Sequence, residues 1–467
     1  MVSLGQAGAL VLKVALVVDN PLRDLDGLVL LAWQLAHLGI EAWLVPMYDQ
    51  SFDVRSIGAD FVLLNYIRPN NIDHFYAYKA EGIKVGVLDT EGIAGRSPEE
   101  FAGFVGKTGG AKFADLYCVW GPSQLNALQS ANVSSVDKLV LTGCPRYDYC
   151  AEPWKKALVR PNVASDYVLI NTNFALTNPK FSTGTDTELQ TMLKVGFASD
   201  VASQFVKDAK VAHEGMIELV QNLVDQFPNE HFVLRPHPFE NKEPYLNIKH
   251  NGNFEIRQEA TSVEWLNYCK ALIHLNCSTA LEASMLGKVA LSPGWLDTET
   301  IRIPGPFSVS SHAETLEQFV DLFREVVDPQ FSNKQVPDSY IENLYFRVDG
   351  NSAKRVAEAI VNAQQAPAKH NQVLPPASFK SKLILFARNI LGYGLSTRIA
   401  LMRANSMMSE KKKSKLISID YVRALAERIA VAAGQPEKAV EVSEMNSAQL
   451  ARPHLASGNA IRFSAVL

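Results

Sequence analysis

Short apolar runs alternate with longer amphipathic stretches as far as about Ala363, and the two periods predict strands and helices in turn. In the first half Lys13–Val18, Glu41–Val45, Asp60–Leu64, Lys84–Leu88, Leu116–Trp120 and Lys138–Leu141 have the pattern of strands. Leu25–Leu38 and Pro122–Ala131 have that of intervening helices. A second series runs through Tyr167–Ile170, His231–Leu234, Phe254–Arg257, Ala271–Leu275 and Val289–Leu291, with helices over about Val201–Phe227, Ser278–Leu286 and Ala313–Val326. The strands are apolar at nearly every position, as expected when helices cover both sheet faces. Such alternation predicts parallel α/β sheets, in which ligands bind beyond the carboxyl ends of the strands.

The stretch Cys150–Asp166, with two prolines and several charges, interrupts the alternation and divides the chain into a first domain over 1–155 and a second over 165–363. Two sheets joined in this way predict a cleft between them. Gln364–Ala377 has the composition of another linker, and 378–467 is expected to form a helical basic tail. There Leu383, Leu385, Phe386, Ile390, Leu391, Leu395, Ile399 and Leu401 stand among Lys380, Lys382, Arg388, Arg398 and Arg403, before Lys411, Lys412, Lys413 and Lys415. That mixture suits an anionic membrane surface. A helix packed on the catalytic domains with solvated lysines accounts for it equally well.

With 467 residues the chain exceeds one ordinary core, which agrees with two domains and a tail. Its net charge of −4 argues against broad nucleic-acid binding. Five cysteines without a CxxC pair point to neither a disulfide framework nor a zinc site, so a reducing compartment fits. Met1–Leu12 lacks the basic start and small-residue cleavage site of a removed leader, and no apolar run reaches membrane-spanning length. The expected location is the cytoplasm, with peripheral docking at the inner membrane through the tail.

Chemistry gathers at predicted strand ends. In Ala271–Gly287 a buried strand ends at Asn276 and a helix starts at Ser278–Thr279, where Thr279 and Glu282 have capping-box spacing. Free N–H groups at such a start bind phosphate, although an ordinary helix cap would look the same. In His231–Glu240 two prolines end the strand and hold Arg235 and His237 beside it, a pair able to bind a phosphate and assist its departure. A surface loop with a stray histidine is the bland alternative.

In the first half, Val87–Gly92 places Asp89 and Glu91 past a buried strand, where a carboxylate can act as general acid or base on a sugar hydroxyl or simply favour a helix entry. With no histidine or third acid nearby in sequence, the pair is weak evidence for a metal, and none is expected. Thr142–Asp148 brings Arg146 and Asp148 two apart on a turn, for binding or for bracing the hinge. Asn171–Phe181 offers amides and hydroxyls, with Asn171 and Asn173 suited to sugar or phosphate. Asp19–Gly27 sets Asp19, Arg23, Asp24 and Asp26 at the end of the first strand.

Taken together, VDNPLRDLDGLVLLA, LVPMY, FVLLNYIRPN, VLDTEG, TGCPRYD, NTNF, LRPHPFE and HLNCSTALEASMLGK resemble a family of bacterial surface-carbohydrate biosynthesis proteins over about Lys13–Ala363. The resemblance implies a GT-B glycosyltransferase: two Rossmann-like domains facing a central cleft, the first for the acceptor and the second for a nucleotide-sugar donor. The arrangement is also similar to that of enzymes using CMP-activated 2-keto sugars, most of all the retaining β-Kdo transferases. On that resemblance Arg235, His237, Asn276, Ser278, Thr279 and Glu282 would hold the nucleotide, and His237 would also take part in catalysis. Glu91 would handle the acceptor proton and Asp148 would be the nucleophile of a covalent intermediate. Asp19, Arg23, Asp89, Arg146, Asn171 and Asn173 would contact substrate. No cofactor is implied; the partners are a CMP-sugar donor and a lipid-linked or oligosaccharide acceptor. Thr90 separates the two acids where many sialyltransferases have them adjacent, and TGCPRYD also resembles a motif of CDP-glycerol polymerases. Transfer of another CMP-nonulosonic acid, CDP-glycerol chemistry, UDP-sugar 2-epimerisation and a non-catalytic sugar-nucleotide-binding role are therefore the alternatives.

Overall fold

The structure is a computed structural model that describes residues 11–92, 97–163, 166–180, 188–194, 198–328, 330–331, 338–367, 374–375, 379–403, 410, 412–435 and 440–466. Residues 1–10, which carried the reading about a leader, lie outside the described residues, as do Phe181, Lys411 and much of 364–377. The chain forms two compact units, Met1–Ala157 with Glu342–Leu467, and Leu158–Ile341.

In the first unit β1 (Lys13–Val18), β2 (Glu41–Pro46), β3 (Phe61–Leu64), β4 (Lys84–Leu88), β5 (Leu116–Val119) and β6 (Leu139–Leu141) are parallel and stand in the order β2-β1-β3-β4-β5-β6. The second unit has β7 (Tyr167–Asn171), β8 (His231–Arg235), β9 (Phe254–Ile256), β10 (Ala271–His274), β11 (Val289–Pro293) and β12 (Ser311–Ala313), parallel in the order β12-β11-β10-β7-β8-β9. Every strand expected from the apolar runs is present. Burial explains their legibility: β2, β7 and β11 are buried at every position. In each unit the strand order reverses beside the first strand, between β1 and β3 and between β7 and β10. At such reversals the connections leave to opposite sides and open a crevice at the carboxyl ends.

Three boundaries differ from expectation. The first unit includes the turn Trp154–Ala157, where buried Trp154 donates its indole N–H to the Gly350 carbonyl at 2.6 Å, so the crossing comes at Leu158. The helix Ser352–Gln365, assigned by sequence to the second domain, belongs to the first unit. Its Val356 and Ile360 are fully buried, and Lys84 caps its end by donating to the carbonyls of Ala363, Gln364 and Ala366.

The third concerns the tail, which is not wholly helical. Helices Phe379–Arg403 and Ile419–Ala432 precede β13 (Val440–Glu444) and β14 (Ile461–Ala465). β14 pairs antiparallel with β2, and β13 with β14, so the first sheet has eight strands. Phe463 and Ile461 enter its core, which outweighs the weak local signal of two five-residue strands.

Candidate functional site

In the first unit, the reversal between β1 and β3 carries a network of charges. Asn20 caps the helix Pro21–His37 by accepting from the Leu22 N–H, while Asp24 accepts from the Asn20 N–H at 3.0 Å. This cap holds Arg23 above the strand ends. Arg23 donates to Asp19 at 2.8 Å, to Asp24 at 2.8 Å and to Glu91 at 3.3 Å. Arg68, stacked over Tyr66, donates to Glu91 at 2.6 Å and to Asp89 at 3.4 Å. Arg146 lies 3.6 Å from Asp24 and packs its guanidinium over Trp120 and Tyr147. Gly27 makes that approach possible, because a Cβ there would stand 2.6 Å from the Arg146 backbone nitrogen.

The two acids of VLDTEG have opposite electrostatics. Burial pushes Asp89 up to about 6, against the pull of Arg68 and of the Glu91 N–H that it accepts. Burial also raises Glu91, but the Arg68 and Arg23 guanidiniums outweigh it and hold that carboxyl below its ordinary value. Two nearby carboxylates with diverging proton affinities can divide acid and base roles. Asp89 lines a small cavity with Asn65, Thr90, Trp120 and Arg146, with room for about one water at ≈ 30 Å³. Asn65 Oδ1, Thr90 Oγ1 and Trp120 Nε1 are buried and have no hydrogen-bond partner among the described residues. Buried polar atoms are normally satisfied, so these three are ready for a hydroxyl or a water.

Arg68, Asn65, Trp120 and Lys415 were not foreseen as members of this site. Lys415, buried to 6% exposure, donates to Asp19 at 2.9 Å. It is held there by the same tail segment in which Tyr421 donates to Asp26 at 2.8 Å. No local pattern announces the contact, which spans about four hundred residues of chain.

Asp148 is not part of the network. It is 1% exposed, and its two oxygens accept the N–H groups of Ser352 at 2.9 Å and Ala353 at 2.7 Å. Burial raises it to about 6, opposed by those N–H groups. This carboxylate caps the helix Ser352–Gln365 and is almost without solvent exposure. The bracing role weighed for the Arg146–Asp148 turn is the one the geometry provides, with a helix rather than an arginine as the partner.

In the second unit, the reversal between β7 and β10 presents amides, hydroxyls and Arg235, with Glu240 and Glu282 buried among them. Asn171 ends β7 and is in register with Arg235 on one side and His274 on the other. Its amide donates to Thr279 Oγ1 at 3.0 Å, and its own Oδ1 is buried without a partner among the described residues. Arg235 donates to the Ala260 carbonyl at 2.8 Å beside the Trp265 ring, and burial pushes it down to about 10. His237 accepts the Phe239 N–H on Nδ1 at 3.2 Å, so its neutral ring carries the proton on Nε2. Ser278 and Asn173 are exposed.

Glu240 ties these loops together. Buried to 1%, it accepts the Thr172 hydroxyl at 2.9 Å, the Phe174 N–H at 3.1 Å and the His237 N–H at 3.3 Å, and bonds the Tyr245 hydroxyl. The signal was available as the acid closing LRPHPFE, next to the residues that were selected.

Two expectations for this half change. The helix Thr279–Met285 follows Ser278 without a side-chain cap, so Thr279 and Glu282 form no capping box, and Glu282 instead accepts from the Ser262 hydroxyl at 2.6 Å. A true capping box joins Thr261 and Glu264. Asn276, in the left-handed region at φ 50°, is engaged by Asp297 at 2.8 Å and by the Ile303 N–H at 3.2 Å. It fastens the following loop, which leaves its amide little capacity for a nucleotide.

No family model and no curated protein matches the chain. Among solved structures, a UDP-GlcNAc 2-epimerase of Methanocaldococcus jannaschii in complex with UDP-GlcNAc and UDP is 11% identical, over 75% of this chain and 100% of that one, at a TM-score of 0.49. A UDP-GlcNAc 2-epimerase from Neisseria meningitidis bound to UDP-GlcNAc is 15% identical, over 75% and 100%, at 0.44. The Anabaena protein HepE in complex with UDP and glucose is 9% identical, over 75% and 100%, at 0.40. Likeness at this level assigns no activity, and the architecture of two Rossmann-like α/β units rests on the sheet orders themselves.

Proposed function

We propose that this chain is a glycosyltransferase of GT-B type that moves Kdo from CMP-Kdo to a saccharide acceptor in the synthesis of a bacterial surface polysaccharide. The acceptor is a lipid-linked saccharide or an oligosaccharide, met in the cytoplasm at the inner membrane. The observation that carries the reading is the division of chemistry between the two strand-order reversals. One gathers acids, with Asp89 poised near neutrality beside unsatisfied Asn65, Thr90 and Trp120 atoms. The other gathers Asn171, Arg235, His237 and Thr279, a set of donors suited to a nucleotide phosphate.

In this reading His237 Nε2–H and Arg235 stabilise the departing CMP phosphate without a metal, aided by Asn171, Ser278 and Thr279. Asp89 takes the acceptor hydroxyl proton, because a base working near neutral pH is best placed close to it. Glu91, held ionised by two arginines, supports that site electrostatically. A retaining course runs either by a front-face mechanism or by two displacements, and the second route uses a nucleophile such as a carboxylate. With Asp148 outside the charge network, Asp19 is the candidate: it stands inside that network at the end of β1, 8% exposed, with one oxygen held by Arg23 and the other by Lys415.

The test is a donor panel of CMP-Kdo, other CMP-nonulosonates, CDP-glycerol and UDP-GlcNAc, read as nucleotide release and product formation. CMP release from CMP-Kdo alone is the expected result. Turnover of CDP-glycerol or epimerisation of UDP-GlcNAc replaces the reading. Binding without turnover across the panel assigns a non-catalytic role. Peptide mapping after incubation with donor alone would locate a glycosyl adduct, and an α-configured product removes the retaining course.

A further inference from the structure

The helix Phe379–Arg403 faces the first unit with polar residues. Arg388 donates to Ser51 Oγ at 3.3 Å and lies over the Phe52 ring. Tyr393 donates to Asp49 at 3.2 Å and meets Phe52 edge-on, and the ammonium of Lys412 lies 3.1 Å from the same Asp49, which is fully buried. The helix kinks at Gly392, whose φ of 68° and contact with the His454 carbonyl (a Cβ would stand 2.6 Å away) admit only glycine comfortably.

With that side fixed, Leu383, Ile384, Phe386, Ile390, Leu391 and Leu395 are exposed by 38 to 66%. Five of the six precede the kink at spacings that place them on one face. A helix at a protein surface ordinarily buries its apolar face, so a contiguous exposed one marks a surface for a partner.

Charge selects that partner. Phe379–Lys415 contains nine lysines and arginines, of which Arg388, Lys412 and Lys415 are turned to Ser51, Asp49 and Asp19, and a single acid, Glu410, in a chain whose net charge is −4. A second copy meeting this face about a two-fold axis would set two such basic segments against each other. An anionic bilayer accepts the apolar side chains below its headgroups and the cations among them. No helix of the described residues is long and apolar enough to cross a membrane, so the contact lies along the surface.

We infer that the outward face of the helix Phe379–Arg403 is a docking surface for an anionic lipid bilayer, with Phe386 and Ile390 as its apolar anchors and Arg398 and Lys413 among its cations. It deepens the membrane-bound acceptor reading by naming the surface that brings the first unit to the lipid.

The test is flotation of the full chain with vesicles of phosphatidylcholine alone or mixed with phosphatidylglycerol. Wild type should float with the mixed vesicles and be released by salt. Phe386→Asp with Ile390→Asp, and separately Arg398→Glu with Lys413→Glu, should each lower the bound fraction by roughly tenfold or more, with melting temperature unchanged. Absence of wild-type binding, or equal binding by wild type and both double variants, overturns the inference. A dimer that the Phe386→Asp, Ile390→Asp variant dissolves would give the face to a second copy and overturn it as well. CMP binding to the same proteins, measured without vesicles, reports separately on the donor reading.

Discussion

The two strand-order reversals occupy equivalent places in their sheets yet are held together by different physics. In the first unit Arg23, Arg68, Arg146 and Lys415 offset Asp19, Asp24, Asp89 and Glu91, so removing one member leaves a charge whose partner was in place. In the second unit Asn171 bonds Thr279, while the Thr172 hydroxyl and the N–H groups of Phe174 and His237 share the buried acid Glu240 as acceptor. A charge network responds to pH and can pass a proton. A hydrogen-bonded cradle holds its shape, as a site for a fixed phosphate group requires.

The largest test of this contrast is Asp89→Asn, which should lower turnover by about 10²–10⁴-fold if Asp89 is the base. Wild-type turnover should fall as pH drops below about 6, where Asp89 becomes protonated. Stability runs the other way: a carboxyl raised from 3.8 to about 6 favours the folded state below its ordinary value, and that gain is lost as pH rises through about 6. The melting temperature of Asp89→Asn relative to wild type should therefore climb between about pH 4 and pH 7. A flat difference would show that Asp89 does not titrate in this range.

Next in size, Glu240→Ala strips four groups of their common acceptor in the second unit and should cost about 3 kcal/mol or more in chemical denaturation. Glu240→Gln should retain more stability but weaken CMP binding, because His237 and the loop after β7 lose their anchor. Unaltered CMP affinity in a folded Glu240→Gln variant would separate Glu240 from the donor site.

Asp148→Ala is a smaller, discriminating change. As a helix cap it should cost about 1–2 kcal/mol, with turnover per folded molecule nearly preserved. A stable but inactive Asp148→Asn would restore the nucleophile role suggested by TGCPRYD. The smallest expected effect is none at all: excess EDTA should leave activity unchanged, and a loss reversed by Mg²⁺ would mean that the first unit's acids bind a metal.

The central strands were legible because they are buried on both faces, which forces a continuous apolar run into the sequence itself. Asp89, Arg235, His237 and Asn171 were legible for a related reason. A parallel strand ends where its apolar run ends, and the next polar residues necessarily lie at the carboxyl edge. What those residues touch was not legible. Thr279 and Glu282 have the spacing of a capping box, yet the helix begins one residue earlier than that motif requires, with Thr279 already inside it, and the acid turns to Ser262. Asp148 looks like a reactive carboxylate until the helix Ser352–Gln365 is seated on it.

By itself, then, the sequence determined two series of strands and helices, the positions of their polar ends and the basic, apolar character of the tail, because period and burial act locally along a chain. Tertiary structure alone decided that residues 342–467 belong with the first unit, that β14 pairs with β2, that Lys415 reaches Asp19 and that the basic helix turns its apolar side outward. Those contacts join residues hundreds of positions apart, and their free energy comes from groups that leave no periodic trace in either partner's neighbourhood.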